Sequence, residues 1–432
     1  MNKKILELAV PNILSNLTIP LLSSVDTALV GHLDGLYYLG AIAIGGMIFN
    51  FIYWGFGFLR MGTTGLTAQA FGNDNRESTS LIFARAIVLA TLISLVLILL
   101  QKPIGLLSFY LIKASPEVEK YAESYYNIRI WAAPATLMLY AIHGWFLGMQ
   151  NAKYPLILAI AVNVGNIGFS VCFVKVLNLN SDGVALGTVC AQYMGLGLGF
   201  FLMLKKYAAY FKNLKLNQII KGGELKRFLS LNSDIFIRTL CLVFVFTYFT
   251  AESAKFGDEI LAVNTILMQF WTILAYGIDG FAFAAESLVG LYIGRREKGN
   301  MQRVVKLLFL WTIGLGLVIA IIYWLFEDAF LSIFTDKIDV ISLAGQFVIW
   351  TILAPLVNGF CFIWDGIFLG ATDTKSLRNS MLICTFLVFL PIYHISAPSL
   401  GNNSLWMAMF VFMISRGISL SFIAWKQMPK WI

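Results

Sequence analysis

Asp26 lies in the run "PLLSSVDTALVGH" (residues 20–32), and from Ala9 to Val25 the chain before it carries no charge. A carboxylate inside an apolar, helix-length segment costs roughly 3 kcal/mol on insertion scales, so its presence asks for a use. Such a group can load a proton on one side of a barrier and release it on the other. Ionised, it can attract a cationic ligand. Its structural alternative is a hydrogen bond to a neighbouring helix. Pro20 lacks an amide hydrogen and crowds the preceding turn, which predicts a kink or loosening in the same helix.

Other polar residues fall inside apolar runs, where they ordinarily face a cavity or a partner. In the first half they are Asn163 and Asn166, with His143 expected to be a packing residue. In the second half they are Arg238, Asn264, Asp279, Glu286 and Asp365. Asp279 and Glu286 are two helical turns apart, so they share a face with about 10 Å between them. Gly277 and Gly280 beside Asp279 permit close packing or unwinding. Arg238 is expected to snorkel to the membrane interface, and Asn264 to act either in a cavity or as hydrogen-bonding glue between helices.

No nucleophile–base pair stands out, and phosphate-loop, HExxH and GxSxG motifs are missing, so enzyme chemistry and ATP-driven pumping have no support. The five cysteines lack CxxC spacing and read as small packing residues, and the three histidines form no ligand pair. His32, near a membrane edge, needs no function. Neither a metal nor a cofactor is expected.

The elements that must hold these residues are helices in lipid. Of 432 residues, 59% are hydrophobic and only 12% charged, against roughly 25% charged in a soluble domain. Apolar runs long enough to cross a ~30 Å hydrocarbon layer recur along the chain. Each must satisfy its own backbone hydrogen bonds, which makes it a helix. Twelve spans are expected, at about 6–32, 38–60, 80–101, 122–149, 154–176, 183–205, 233–254, 259–293, 304–326, 342–370, 377–396 and 403–426. The first is too long for the core of a cleavable signal peptide.

With the amino terminus cytoplasmic, about 24 of the 31 Lys and Arg fall on cytoplasmic segments or their helix ends. That asymmetry accounts for the net charge of +8 without a nucleic-acid partner. It predicts a multi-pass protein of the inner (plasma) membrane with both termini cytoplasmic. The densest basic stretch, 205–232, reads as a cytoplasmic connector beside anionic lipid.

A shift of 222 residues lays Leu39, Gly55, Leu66 and Gly72 over Leu261, Gly277, Leu288 and Gly294. It also lays "GWFLGMQNAK" (144–153) over "GIFLGATDTK" (366–375), and Asp365 over His143. The chain thus divides into an amino-terminal six-helix lobe (1–206), a cytoplasmic basic linker (207–232) and a carboxy-terminal six-helix lobe (233–432). Six spans per half make the repeats parallel, an arrangement that places a substrate path between the halves near the midplane.

The run "VPNILSNLTIPLLSSVDTALVGHLDGLYYLGAIAIG" and the following "FLRMGTTGLTAQAFG" resemble the start of a multidrug and toxic compound extrusion (MATE) transporter of the DinF (DNA-damage-inducible F) subfamily. "LAVNTILMQFWTILAYGIDGFAFAAES" and "DGIFLGATDTKSLRNSM" are similar to the same subfamily, so the resemblance covers nearly the whole chain. It implies twelve helices in two pseudo-symmetric six-helix lobes around a central cavity. It further implies a monomer that exports amphipathic or cationic compounds in exchange for protons or sodium. Asp26 matches that family's helix-one proton site, and Asn163 and Asn166 its helix-five asparagine region. Where related proteins carry an acid four residues after the second asparagine, this chain has Ser170, so Asp26 is expected to act without a second carboxylate.

Asp365 matches the helix-ten acid of other branches, but their helix-seven acid has no counterpart, Arg238 being nearby. The resemblance therefore favours protons over sodium. A flippase of a lipid-linked sugar or amphipathic metabolite is the competing reading. It calls for a cationic cavity, whereas the intramembrane charges here read as mostly acidic. A channel calls for a pore-lining polar stripe or filter repeat, and none is apparent.

Overall fold

The computed structural model describes residues 1–432 other than 32, 34, 113, 213–215, 221 and 336, and leaves out the side chains of 19, 21–23 and 216. His32 and parts of the basic connector therefore lie outside the described residues. Among the described residues the regular structure is helical throughout. Twelve helical stretches have spanning length: α1 Asn2–Gly31, then α2 Leu36–Gly72, α3 Arg76–Leu99, α4 Pro116–Gly148, α5 Lys153–Val176, α6 Asn180–Phe211, α7 Gly222–Lys255, α8 Asp258–Gly294, α9 Lys298–Leu325, α10 Val348–Gly370, α11 Thr374–Leu400 and α12 Asn403–Lys430. From α2 onwards all are also apolar enough to cross a membrane.

Two helices are longer than their apolar runs suggest. α2 continues past residue 60 through "RMGTTGLTAQAFG", where Thr63, Thr64 and Thr67 are fully buried. Its polar look comes from small hydroxyl residues that face protein rather than lipid. α7 starts at Gly222, eleven residues before the expected 233, because the polar stretch "GGELKRFLSLNSD" is itself helical and buries Phe228 and Leu231 on one side. The helix α1 continues through Pro20, and the Ser24 hydroxyl donates to the Pro20 carbonyl at 3.0 Å.

The chain forms two compact units, Leu14–Leu229 and Met1–Ile13 with Ser230–Ile432. Their boundaries fall within α1 and α7 rather than at 206 and 232. The first turns of α1 belong with the carboxy-terminal unit. There the Tyr292 hydroxyl donates to Met1 Sδ at 3.4 Å and Trp311 Nε1 to Asn2 Oδ1 at 3.3 Å. A Cβ on Gly280 would come within 2.8 Å of the Ala9 carbonyl oxygen. The connector belongs with the amino-terminal unit. Arg85 of α3 donates to the carbonyls of Ile219 (3.0 Å) and Gln218 (2.9 Å), mooring the connector's short helix Leu216–Ile219 by its carboxyl end.

In the first unit the core gathers around Trp145, packed with Phe83, Phe146 and Tyr207, its indole N–H donating to the Thr79 carbonyl at 3.0 Å. In the second, Trp271, Trp406, Phe249 and Phe412 form the larger cluster between α7, α8 and α12.

The 222-residue repeat is visible in the backbone. In the first unit α4 crosses α2 at Gly144, against the Arg60 carbonyl, and at Gly148, where a Cβ would lie 2.8 Å from the Thr64 carbonyl oxygen. In the second unit α10 crosses α8 at Gly366, against the Ala282 carbonyl, and at Gly370, where a Cβ would lie 2.5 Å from the Glu286 carbonyl oxygen. Each pair of residues differs in number by 222. The turns after these helices also match. Left-handed φ occurs at Asp74 (50°) and Arg296 (59°), and again at Gln150 (58°) and Thr372 (57°). Asn151 Oδ1 accepts from the Tyr154 amide (3.3 Å) just before α5, and Asp373 Oδ1, the N-cap of α11, accepts from the Ser376 amide (3.4 Å).

Candidate functional site

Asp26 sits on α1 within the amino-terminal unit, half-buried, and its Oδ1 is buried with no hydrogen-bond partner among the described residues. Buried polar atoms are almost always satisfied, so an orphaned carboxylate oxygen marks a place where water, a proton or a ligand belongs. Arg129 of α4 acts electrostatically on this carboxylate. Its guanidinium is held elsewhere: Nη1 donates to the Tyr125 hydroxyl at 2.6 Å, and the group lies 5.1 Å from the centroid of the Phe49 ring. Aromatic and phenolic partners thus fix the arginine in place.

The asparagines form a separate arrangement. Asn166 Nδ2 donates to Thr188 Oγ1 (2.9 Å) and the Ser170 hydroxyl donates to Asn166 Oδ1 (3.3 Å), joining α5 to α6. The helices can approach there because residue 187 is glycine, its Cα facing Ser170. Asn163 instead donates to the Thr18 carbonyl of α1 at 3.4 Å. Thr18 is eight residues before Asp26, about 12 Å along the helix. The structure therefore brings Asn166 and Ser170 together, while Asn163 meets α1 about 12 Å along the helix from Asp26.

In the carboxy-terminal unit Asp365 of α10 is clasped by two arginines. Arg238 Nη2 of α7 and Arg416 Nη2 of α12 both donate to Asp365 Oδ2, the second at 2.6 Å. All three side chains are buried, with Arg416 only 1% exposed. Arg416 also lies 5.3 Å from the Phe412 ring centroid and donates from Nη1 to Met413 Sδ at 3.1 Å. Arg238 does not snorkel as expected. It lies sixteen residues into α7, about 24 Å from the helix start, and its reach is spent on Asp365. The cluster has two guanidinium groups to one carboxylate, so this unit is richer in buried positive charge than its sequence suggested.

The remaining candidates, Asn264, Asp279 and Glu286, all lie on α8. Asn264 uses its whole amide: Nδ2 donates to Ser253 Oγ (2.8 Å) and Asn402 Oδ1 (2.7 Å), while Oδ1 accepts from Asn402 (3.1 Å) and Trp406 Nε1 (2.9 Å). It ties α7, α8 and α12 together, the glue alternative rather than a cavity group. Asp279 is half-buried on α8 and acts electrostatically on Tyr276. Glu286, two turns on, is 1% exposed, at the level where Gly370 crosses α8. Among the described residues no three His, Cys, Asp or Glu side chains cluster as a metal site.

Arg129, Arg416, Tyr125 and Thr188 were not singled out from the sequence. Arg129 and Arg416 each sit within an apolar span, the same signal that marked Asp26; the charge of Arg416, towards the end of its span read as cytoplasmic, was absorbed by the positive-inside pattern, whereas that of Arg129 was not and was overlooked.

The MatE family pattern matches the chain twice, at residues 11–172 and 235–395, so the family unit falls once in each half of the repeat. Across 426 residues the chain is 35% identical to DNA damage-inducible protein F of Escherichia coli, covering 99% of this chain and 92% of that protein. It is 24% identical to a probable multidrug resistance protein NorM of Photorhabdus laumondii, over 91% of this chain and 87% of that one. A transporter of the MOP superfamily from Pyrococcus furiosus shares the fold, with a TM-score of 0.88 at 15% identity over 99% of this chain and 96% of that chain. A family pattern found in both halves and a near full-length relative agree with the helical membrane architecture: the chain belongs to the MatE family, whose members are transporters and not enzymes.

Proposed function

We propose that the protein is a secondary active antiporter exporting amphipathic, often cationic compounds in exchange for protons, with Asp26 as the coupling carboxylate. The observation that carries this reading is the buried, unpartnered Oδ1 of Asp26 on the proline-containing helix α1. Protonation removes the charge that a buried carboxylate finds costly, and deprotonation restores an attraction for a cationic substrate. Arg129 acts electrostatically on the same carboxylate. The hydrogen-bonded group Asn166–Ser170–Thr188 holds α5 and α6 as a neutral support, with serine where relatives place an acid. Sodium is disfavoured because Asp365, the helix-ten acid, already has two arginines as counter-ions. We place both termini in the cytoplasm from the distribution of Lys and Arg, and take the monomer as the working unit.

A second reading has a specific observation in its favour. The Arg238–Asp365–Arg416 cluster supplies the buried positive charge that export or flipping of an anionic amphiphile requires. The report on the Pyrococcus furiosus neighbour describes a binding pocket of reverse polarity and suggests a different function for it.

The test is efflux from proteoliposomes under an imposed pH gradient, with and without sodium, using a fluorescent cation and a fluorescent anionic amphiphile. The expected result is proton-driven cation export that Asp26→Asn abolishes while the protein keeps its melting temperature. Undiminished gradient-driven export by Asp26→Asn would overturn the assignment, and preference for the anionic probe would establish the second reading instead.

A further inference from the structure

Asp26 and Arg129 belong to the same compact unit and carry complementary unused atoms. Asp26 Oδ1 on α1 is a buried acceptor without a donor, and Arg129 Nε on α4 is a buried donor without an acceptor. Arg129 is the charged group that acts electrostatically on Asp26. Among the described residues no hydrogen bond joins the two.

The guanidinium is instead parked on its own helix. Nη1 donates to the hydroxyl of Tyr125, one turn earlier on α4, at 2.6 Å. The group also lies 5.1 Å from the Phe49 ring centroid and 5.5 Å from that of Tyr125, both rings being buried. Asp26 in turn acts electrostatically on Tyr125, so this phenol stands by both charges. Tyr53 of α2 is acted on by Arg129, Tyr125 and Tyr140. Phenols are ordinarily uncharged at neutral pH, which leaves one acid and one base to carry the charge here.

An arginine offers a carboxylate two parallel N–H bonds from its Nε–Nη2 edge, and such a charged pair is stronger than a bond to a neutral phenol. Tyr125 uses Nη1, so that edge is unspent. A desolvated carboxylate left unpaired is costly. An ionised, substrate-free Asp26 therefore calls for a cation, and the chain supplies one.

We propose that Arg129 is an internal cation that occupies Asp26 whenever the carboxylate is ionised and holds no substrate. Rotation of its side chain off Tyr125 closes the Nε–Nη2 edge on Asp26. A proton neutralises the carboxylate and returns the guanidinium to Tyr125 and Phe49, the position seen in the structure. A cationic substrate has to displace Arg129, which makes this residue a determinant of cation affinity. The inference rests on Asp26 being the coupling carboxylate and adds the group that competes for it.

Equilibrium binding of tetraphenylphosphonium, a lipophilic monovalent cation, to the purified full-length protein at alkaline pH tests this. With Asp26 unpaired for only a tenth of the time, Arg129→Gln should bind the probe about tenfold more tightly than wild type. That gain should vanish when Asp26→Asn/Arg129→Gln is compared with Asp26→Asn alone. Tyr125→Phe removes the parking hydroxyl and should act the other way, weakening binding about threefold. It decides the matter if Arg129→Gln does not fold. Infrared difference spectroscopy of the ligand-free protein reads the pair without a substrate: the carboxylate band that Asp26→Asn lacks should shift between wild type and Arg129→Gln. An unmoved band, unchanged affinity in Arg129→Gln, or unweakened binding by Tyr125→Phe would overturn the proposal. So would a gain that persists without Asp26, which is plain repulsion of the probe by Arg129. Binding of the probe by Asp26→Asn as tightly as by wild type would bring down the coupling assignment as well.

Discussion

His143 and Asp365 occupy the same place in the two halves, each just before the first glycine of a helix crossing. In the amino-terminal unit, His143 Nε2 is buried without a hydrogen-bond partner, and Arg60 of α2 acts on the ring electrostatically. In the carboxy-terminal unit the position of Arg60 is taken by Ala282, and the cations come from α7 and α12 to clasp Asp365. The backbone contacts at Gly144 and Gly366, and at Gly148 and Gly370, are nevertheless the same. Close packing of two backbones tolerates little change in shape, so it has been kept. Charge placement depends only on a few side chains, so the halves have diverged there.

The largest way to break that comparison is Asp365→Asn, which leaves two buried arginines without a counter-ion and should cost about 3–5 kcal/mol. The matched change His143→Asn should cost under about 1 kcal/mol, as a surplus polar group replaces one already unpartnered. Thermal unfolding of the purified variants reads both, and equal losses would show that the two positions carry the same load. Joint replacement Arg238→Met, Asp365→Leu and Arg416→Met should recover most of the lost stability.

Next in size are Gly144→Ala and Gly366→Ala, which push a methyl group against the Arg60 and Ala282 carbonyls. Each should cost about 1–3 kcal/mol, and by similar amounts. A loss in one half alone would show that the crossings are not equivalent in energy. Asn264→Leu strands Ser253, Asn402 and Trp406 and should cost about 1–3 kcal/mol by the same measurement. The smallest effect is expected from Ser170→Ala, about 1 kcal/mol, since Asn166 keeps its bond to Thr188. Together the last two ask whether the neutral network of one half contributes less than that of the other.

Helix count and repeat were open to a reader of the sequence because both rest on long-range regularities: apolar length, and glycines at a fixed shift. Asp26 was legible for a related reason, as a lone carboxylate in an uncharged run. The second half of α2 was not, because buried threonines and solvent-facing ones look alike in sequence. The partner of Asp365 was half-seen. Arg238 was noticed but placed at the interface, since the true start of α7 lies in a polar stretch that hydropathy discounts. Arg416 was missed because a basic residue near the end of a chain fits the topology signal, and only the fold shows it facing 51 residues back to α10.

The connector moored by Arg85 has a consequence for how such a chain could have evolved. Two separate copies of a six-helix ancestor, made from one gene, would have to carry every substitution twice. An aspartate with its two arginines would appear in both copies or in neither. Once a single polypeptide joins the copies, selection can act on one half alone, so one half carries a histidine where the other carries an ion triad. The joining segment thereby does more than hold two halves near each other: it gives each half a heritable identity.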